Sequence, residues 1–294
     1  MNRVVRAAAG IALIISSSAA AQQGRDVDTF QWSKERPASS RLTIRNGDGP
    51  IDVRESPGNR VTVRATKVLR RHGAVRDVAF DVIESTEGVE ICTLYDQQES
   101  CRDRNRGGMR NNHVRVDYTV LVPRQTRVNI STGNGDVTIE RAGADVTATS
   151  GNGKINIGET TGRVEATTGN GDVLIESANG PVRVRTGNGR IGVTTAQGAV
   201  SATTGNGDID VRMKTVASDS DMTFNSGSGA IRISLPAGFN GRIDASSGNG
   251  TLTSDFEISV VGRLDAQHVR GTIGTGGALL HLNTGNGQIE IRKN

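Results

Sequence analysis

The sequence predicts an all-β protein, a single-stranded parallel β-helix (β-solenoid) with about 18 residues per regular coil and two short strands in each coil. Three observations carry that expectation. Gly-Asn-Gly begins at Gly133, Gly151, Gly169, Gly187 and Gly205, each 18 residues after the last, and returns at Gly248 and Gly285. Glycine also marks the half-period, nine residues apart, from Gly153 through Gly162, Gly171, Gly180, Gly189 and Gly198 to Gly207. Between the glycines, apolar and polar residues alternate with the period of two that a half-buried strand requires. Without that period, 38 glycines and 34% hydrophobic residues in a 294-residue chain would favour disorder.

Residues 1–21 read as a secretory signal peptide. Arg3 and Arg6 precede the apolar run from Ala7 to Ile15, and Ser16 to Ala21 is a small-residue stretch with cleavage expected after Ala21. A membrane anchor is the competing reading, but this run is less than half of the ~20 residues needed to span a bilayer. No later stretch is apolar enough to cross, so no transmembrane segment is expected in the mature chain. Cleavage removes two arginines and no acid, taking the formal net charge from +4 to +2. Nucleic acid would need a concentrated positive face, and export disfavours that partner as well. Export places Cys92 and Cys101 in an oxidising compartment, where a disulfide is the expected state. Free thiols or a metal site are the alternatives, and a cysteine pair with only His113 nearby falls short of a tetrahedral ligand set.

Residues 22–130 are expected to cap the solenoid with wider β coils. Leu42 to Val53 carries one early coil pattern. Val61 to Ala65, Val78 to Ile83, Val89 to Leu94 and Val114 to Val122 alternate as longer strands, and Pro123 ends the last. Between them, Asp96 to Asn112 reads as a polar projecting loop holding Cys101, Gly107-Gly108 and four arginines, Arg102, Arg104, Arg106 and Arg110. A disulfide would pin its base.

Residues 131–294 carry the regular repeats. One sheet should point Val137, Ile155, Val173, Ile191 and Ile209 inward, followed two residues later by Ile139, Ile157, Ile175, Val193 and Val211. The opposing sheet should bury Val146, Val164, Val182 and Val200, then Ala148, Ala166, Val184 and Ala202. Asn134, Asn152, Asn170, Asn188 and Asn206 then form a ladder of amides along the stack, and asparagine also tolerates the left-handed backbone of a tight corner. The flanking glycines serve the same corner. After each motif come Asp136, Lys154, Asp172, Arg190 and Asp208, whose alternating sign predicts a surface salt-bridge ladder. The spacing loosens between Gly205 and Gly248, which predicts longer corner loops. The runs from Val269 to Gly274 and from Leu280 to Ile291 resume the pattern, and a terminal coil needs an outer edge that is polar or covered.

Several chemistries are disfavoured. A phosphate-binding G-x-G-x-x-G must open a helix, and here the chain returns to strand alternation each time. Calcium-binding β-rolls stack aspartates, but this column interleaves Lys154 and Arg190 as counter-charges. Aromatics make up 3% of the chain, with none between Ser131 and Thr223, so a row of stacking platforms is absent. His72, His113, His268 and His281 lack motif spacing.

The copies of Thr132-Gly133-Asn134-Gly135-Asp136-Val137-Thr138-Ile139, the strand from Val116 to Pro123 and the segment Gly88-Val89-Glu90-Ile91-Cys92 resemble the bacterial β-strand-repeat putative adhesin family, domain of unknown function 4097. The resemblance covers most of the mature chain. It implies a right-handed β-helix and brings no catalytic, cofactor or metal residues with it.

The expected function is that of an exported, non-catalytic β-solenoid, an adhesin or cell-envelope binding protein working in the periplasm or at the cell surface. Its partner would be an envelope or surface ligand, and the arginines of the projecting loop could meet an anionic one. A solvated loop is the plainer reading of those charges. A structural periplasmic or envelope scaffold is the alternative. A polysaccharide-active β-helix enzyme would need convergent carboxylates or a metal, and no cofactor is expected.

Overall fold

The computed structural model describes residues 28–37, 39–70, 74–95, 100–102, 113–195, 197–216, 220–260 and 267–294. The expected signal peptide and cleavage site lie outside the described residues. No helix among the described residues is long and apolar enough to cross a membrane.

Each regular coil gives one strand to a 13-stranded sheet and the next to a 12-stranded sheet. The first strands are Arg127–Asn134, Val146–Asn152, Val164–Asn170, Val182–Asn188 and Val200–Asn206. The second are Val137–Ala142, Ile155–Thr160, Val173–Ala178, Ile191–Thr195 and Ile209–Met213. Neighbouring coils pair in parallel, so that Val146 faces Val164, then Val182, then Val200, and asparagine faces asparagine. An 18-residue coil cannot bury its apolar side alone, and stacking turns each repeat position into a continuous column. The predicted Val, Ile and Ala columns are all buried between the two sheets.

The corners divide the work of Gly-Asn-Gly among its residues. The second glycine turns the backbone: Gly135, Gly153, Gly171, Gly189 and Gly207 have φ between 147° and 156°. The asparagines are not left-handed as the sequence reading allowed, because each ends a strand, and among the described residues only Ser39 is a non-glycine with positive φ. Their amides do form the expected ladder, each Nδ2 donating to the preceding Oδ1, from Asn206 to Asn188 and so on to Asn134, at 2.7–2.8 Å. A second ladder runs inside the corner. The hydroxyls of Ser150, Thr168, Thr186 and Thr204 are buried and donate to the carbonyls of Gly135, Gly153, Gly171 and Gly189 at 2.9–3.0 Å. They satisfy acceptors that the apolar interior would otherwise strand.

The ends depart from the 18-residue repeat. Strands Arg41–Asp48 and Ile51–Glu55 form a regular coil stacked on Arg127–Asn134 and Val137–Ala142, although more than 70 residues separate them in sequence. Beyond it Gly88–Tyr95 and Val114–Val122 stack in parallel on Arg41–Asp48 and Ile51–Glu55, and only outside them does the pairing turn antiparallel, with Val78–Glu84 on Gly88–Tyr95, Arg60–Leu69 on Val114–Val122, and Thr29–Glu35 at the edge. Gly88–Tyr95 and Val114–Val122 thus carry the column one layer farther, and the antiparallel strands cap it. At the other end the last coil, Leu279–Asn286 with Ile289–Lys293, is not terminal in space. It lies between the coil Met222–Ser228/Ile231–Leu235 and the coil Gly241–Asn249/Leu252–Ser254, pairing in parallel with both. The edge beyond is closed by His268–Ile273, antiparallel to Gly241–Asn249, and by Ile258–Val260.

Candidate functional site

The N-terminal cap holds the covalent anchor. Cys92 and Cys101 are joined by a disulfide, with an S–S distance of 2.04 Å and Cα atoms 5.6 Å apart. Cys92 lies in the strand Gly88–Tyr95 and packs with Ala79 and Leu94 in a small cluster apart from the main core. The Cys101 N–H donates to the buried Asp81 carboxylate at 3.0 Å, so both covalent and polar bonds fix this point of the backbone. Arg102 is exposed and its N–H donates to Ser100 Oγ at 3.1 Å. Arg104, Arg106 and Arg110 lie outside the described residues.

Among the described residues, one group of at least three metal-ligating residues is compact enough for a single ion: Glu90, Cys92 and Cys101. The two sulfurs are bonded to each other, and Glu90 is held by Arg45 Nε at 2.9 Å. In the oxidised protein this leaves one engaged carboxylate and no thiolate.

Beneath the cap, burial pushes the Tyr118 phenol far above the usual tyrosine range, and it stays a neutral hydroxyl 2.7 Å from Thr93 Oγ1. Asn46 is buried, donating to the carbonyls of Asp48, Gly49 and Val116 and accepting from the Tyr95 hydroxyl. Such saturated groups hold the cap in one arrangement.

The column after Gly-Asn-Gly corrects a second expectation. Among the described residues, no ion pair within 4.0 Å joins Lys154 or Arg190 to Asp136, Asp172 or Asp208. Each carboxylate instead accepts the backbone N–H of the residue above it: Lys154 on Asp136 at 2.7 Å, Arg190 on Asp172 at 2.9 Å, and Ala230 on Asp208 at 2.9 Å. A short aspartate reaches the next coil's backbone directly, whereas the long cations extend into water. The Ala230 N–H holds the Asp208 carboxyl below its usual range, opposed by partial burial and aided by Arg232.

Two bridging arginines lie instead along the 12-stranded sheet. Arg141 bridges Glu55 and Glu159, at 3.4 and 3.0 Å, and Arg232 bridges Asp208 and Glu290, at 3.2 and 3.6 Å. The outer face of the 13-stranded sheet is mostly hydroxyl and amide, with Thr147, Thr149, Thr167 and Thr203 among its outward residues.

The structure also gathers two histidines that sequence spacing left apart. His268 Nε2 lies 2.9 Å from Asp244 Oδ1, Arg270 Nε donates to Asp244 Oδ2 at 3.1 Å, and His281 faces Asp244 across the parallel pair. Partial burial raises the Asp244 carboxyl, but the His268 hydrogen bond and the Arg270 charge outweigh it and leave the group below its usual range. This cluster exists because 268–273, expected to resume the coil pattern, returns antiparallel instead, and because the last coil is displaced between two earlier ones, neither of which the repeat spacing announces. His72 lies outside the described residues.

No curated protein matches this sequence. Several solved structures are similar to this chain. A protein described as a "putative adhesin" from Bacteroides fragilis is 13% identical over 90% of this chain and 96% of its own, with a TM-score of 0.50. A "putative cell adhesion protein" from Clostridium sporogenes is 13% identical over 90% and 100%, with a TM-score of 0.31. A "putative adhesin" from Parabacteroides distasonis is 11% identical over 90% and 98%, with a TM-score of 0.44. At such identities the first of these supports the fold alone. The family model described as Toastrack DUF4097 matches residues 39–292, from the first strand pair of the coil column to the last coil, and the chain belongs to that family.

Proposed function

We propose that this chain is an exported, non-catalytic β-solenoid that binds a cell-envelope or cell-surface ligand as an adhesin does, using the segment from Asp96 to Asn112. The observation that carries this reading is the double anchor of that segment at one end of a stacked frame, the Cys92–Cys101 disulfide and the Cys101 N–H on Asp81. Recognition residues on a loop gain specificity when a rigid scaffold fixes its base. Arg102, Arg104, Arg106 and Arg110 offer planar, multi-donor contacts to phosphate or carboxylate groups. Membership of the Toastrack family and the adhesin description of the Bacteroides fragilis neighbour support the binding role. The N-terminal pattern of Met1 to Ala21 supports export.

The test compares the mature protein with a variant lacking residues 96–112 for retention on a sulfated polysaccharide matrix at near-physiological salt. The full-length form should be retained and released by added salt, whereas the deletion should flow through with its β-type circular dichroism unchanged. Equal retention of both overturns the loop assignment. Protease shaving of intact source cells separates the two locations: loss of the protein supports an adhesin on the outer surface, and protection of a protein that is cleavable after lysis moves the reading to a periplasmic scaffold.

A further inference from the structure

We propose that Asn179 is the fastest-deamidating Asn-Gly site of this protein, a spontaneous modification site whose co-reactant is water. In an Asn-Gly pair the glycine amide nitrogen, after losing its proton, attacks the asparagine Cγ. A new bond forms between that nitrogen and Cγ, the bond from Cγ to Nδ2 breaks, and Nδ2 leaves as ammonia. Water then opens the resulting succinimide to aspartate or isoaspartate, so amide plus water becomes carboxylate plus ammonium. The reaction needs a glycine N–H with no other engagement and an asparagine amide free to swing onto it.

The coil corners deny both conditions to most of the Asn-Gly pairs. Gly135, Gly153, Gly171 and Gly189 donate their N–H groups to the carbonyls of Asn152, Asn170, Asn188 and Asn206 at 2.8–2.9 Å. The same asparagines hold one another through the amide ladder. Elsewhere Asn46 is buried with its amide engaged three times, and the Asn240 amide is tied to the Gly238 carbonyl and the Thr275 N–H. Gly287 donates to Asn249 O at 3.1 Å. Asn249 is a half-protected case. Its Nδ2 donates to Asn286 Oδ1 at 2.8 Å, but the Gly250 N–H has no partner among the described residues because no further coil lies beyond it.

Asn179 meets both conditions. It occupies the opposite corner of the repeat, where the coils on either side carry Thr161 and Gln197, so no asparagine ladder can form. Asn179 is exposed and, among the described residues, neither its Oδ1 and Nδ2 nor the Gly180 N–H has a hydrogen-bond partner. At a ladder site an amide bond of the ladder and a glycine N–H bond must both open first, which slows the reaction there by roughly thirtyfold relative to Asn179.

Peptide mapping by mass spectrometry after incubation of the folded mature protein in mildly alkaline buffer tests this. Asn170 and Asn179 lie between Arg163 and Arg183 with no other tryptic site, so one peptide reports both and its fragment ions separate them. Conversion to aspartate and isoaspartate is expected first at Asn179, then at Asn249, with Asn170 and Asn188 unchanged over the same interval. In denaturant the sites should converge in rate, and Asn179→Gln should remove the early signal alone. Conversion of Asn170 or Asn188 in the folded protein as fast as Asn179, or of Asn249 before Asn179, overturns the proposal.

Discussion

Replacing Gly171 by alanine tests whether the coil corners set the geometry of the stack. Gly171 has φ of 147°, in the left-handed region, and a Cβ there would sit 2.2 Å from the Gly153 oxygen, 2.6 Å from the Gly153 carbonyl carbon and 3.1 Å from the Lys154 nitrogen. All three are backbone atoms of the adjoining coil, so no change of rotamer relieves the contact. The oxygen would have to retreat by more than 1 Å, from 2.2 Å to the 3.4 Å at which ordinary contact begins. That separation opens the bonds that join the two coils there, from Gly153 N to Asn170 O, Ile155 N to Asp172 O and Thr168 Oγ1 to Gly153 O. Two or three such bonds at about 1 kcal/mol each, with about 1–2 kcal/mol of backbone strain, make the expected loss about 3–5 kcal/mol. The matched control is Gly192→Ala, in a strand of the same repeat. Its Cβ would touch only Leu174 Cδ1 at 3.1 Å, and Leu174 is 44% exposed and free to turn. Reduced freedom of the unfolded state should then stabilise that variant by about 0.4–1 kcal/mol. Thermal unfolding followed by circular dichroism should lower Tm for Gly171→Ala by the order of 10 °C and leave Gly192→Ala level or higher. Equal Tm values for the two variants would refute the corner argument.

The amide ladder, the disulfide and the capping aspartate each make a separate prediction. Asn170→Ala removes a donated and an accepted ladder bond and should cost about 1–2 kcal/mol in urea unfolding, whereas Asn134→Ala, at the ladder's end, removes one and should cost about half as much. Reducing the Cys92–Cys101 bond, or replacing Cys101 by serine, should cost about 2–3 kcal/mol, seen as a lower Tm in reductant that Cys101→Ser no longer shows. Asp208 has a folded pKa below its unfolded value, so its contribution is complete above the ordinary carboxylate range and lost as pH falls through the folded pKa. Asp208→Asn should therefore flatten the acid side of the stability–pH profile and leave its neutral-to-alkaline side parallel to the parent.

The repeat period and strand alternation were legible because they follow from elementary geometry. A column such as Val137, Ile155, Val173, Ile191 and Ile209 can be written down from the period alone, and each member is buried. The disulfide was legible from two cysteines near a loop base. The corner chemistry was only half legible. Composition shows the asparagines and glycines, but their division of labour depends on which atom of the next coil lies within reach. The aspartates bond to backbone because their short carboxylates span the gap, and the buried hydroxyl of Ser150 or Thr168 looks like an ordinary polar strand residue until its glycine carbonyl is seen. The cluster of Asp244, His268 and His281 had no local signal, since it exists through pairings between segments that no period relates.

The order of coils shows where repetition stops specifying structure. Near-identical coils can exchange neighbours at little cost in pattern, because every one offers the same ladder and the same alternation. Residue size breaks that degeneracy at the C-terminal end. Phe224 stands where the preceding coil carries Ala202, and its inward neighbour on the next coil is Leu282, with Ala245 one coil farther on. Placing the 241–254 coil directly on Phe224 would set alanine beside the ring and leave Leu282 at the covered end. Inserting the last coil instead packs two large residues together and lets Ala245 adjoin the capping strand 268–273, opposite Val269. Close packing rewards that arrangement. The repeats thus determine how any coil stacks, while the few residues that break the repeat select which coil stacks on which.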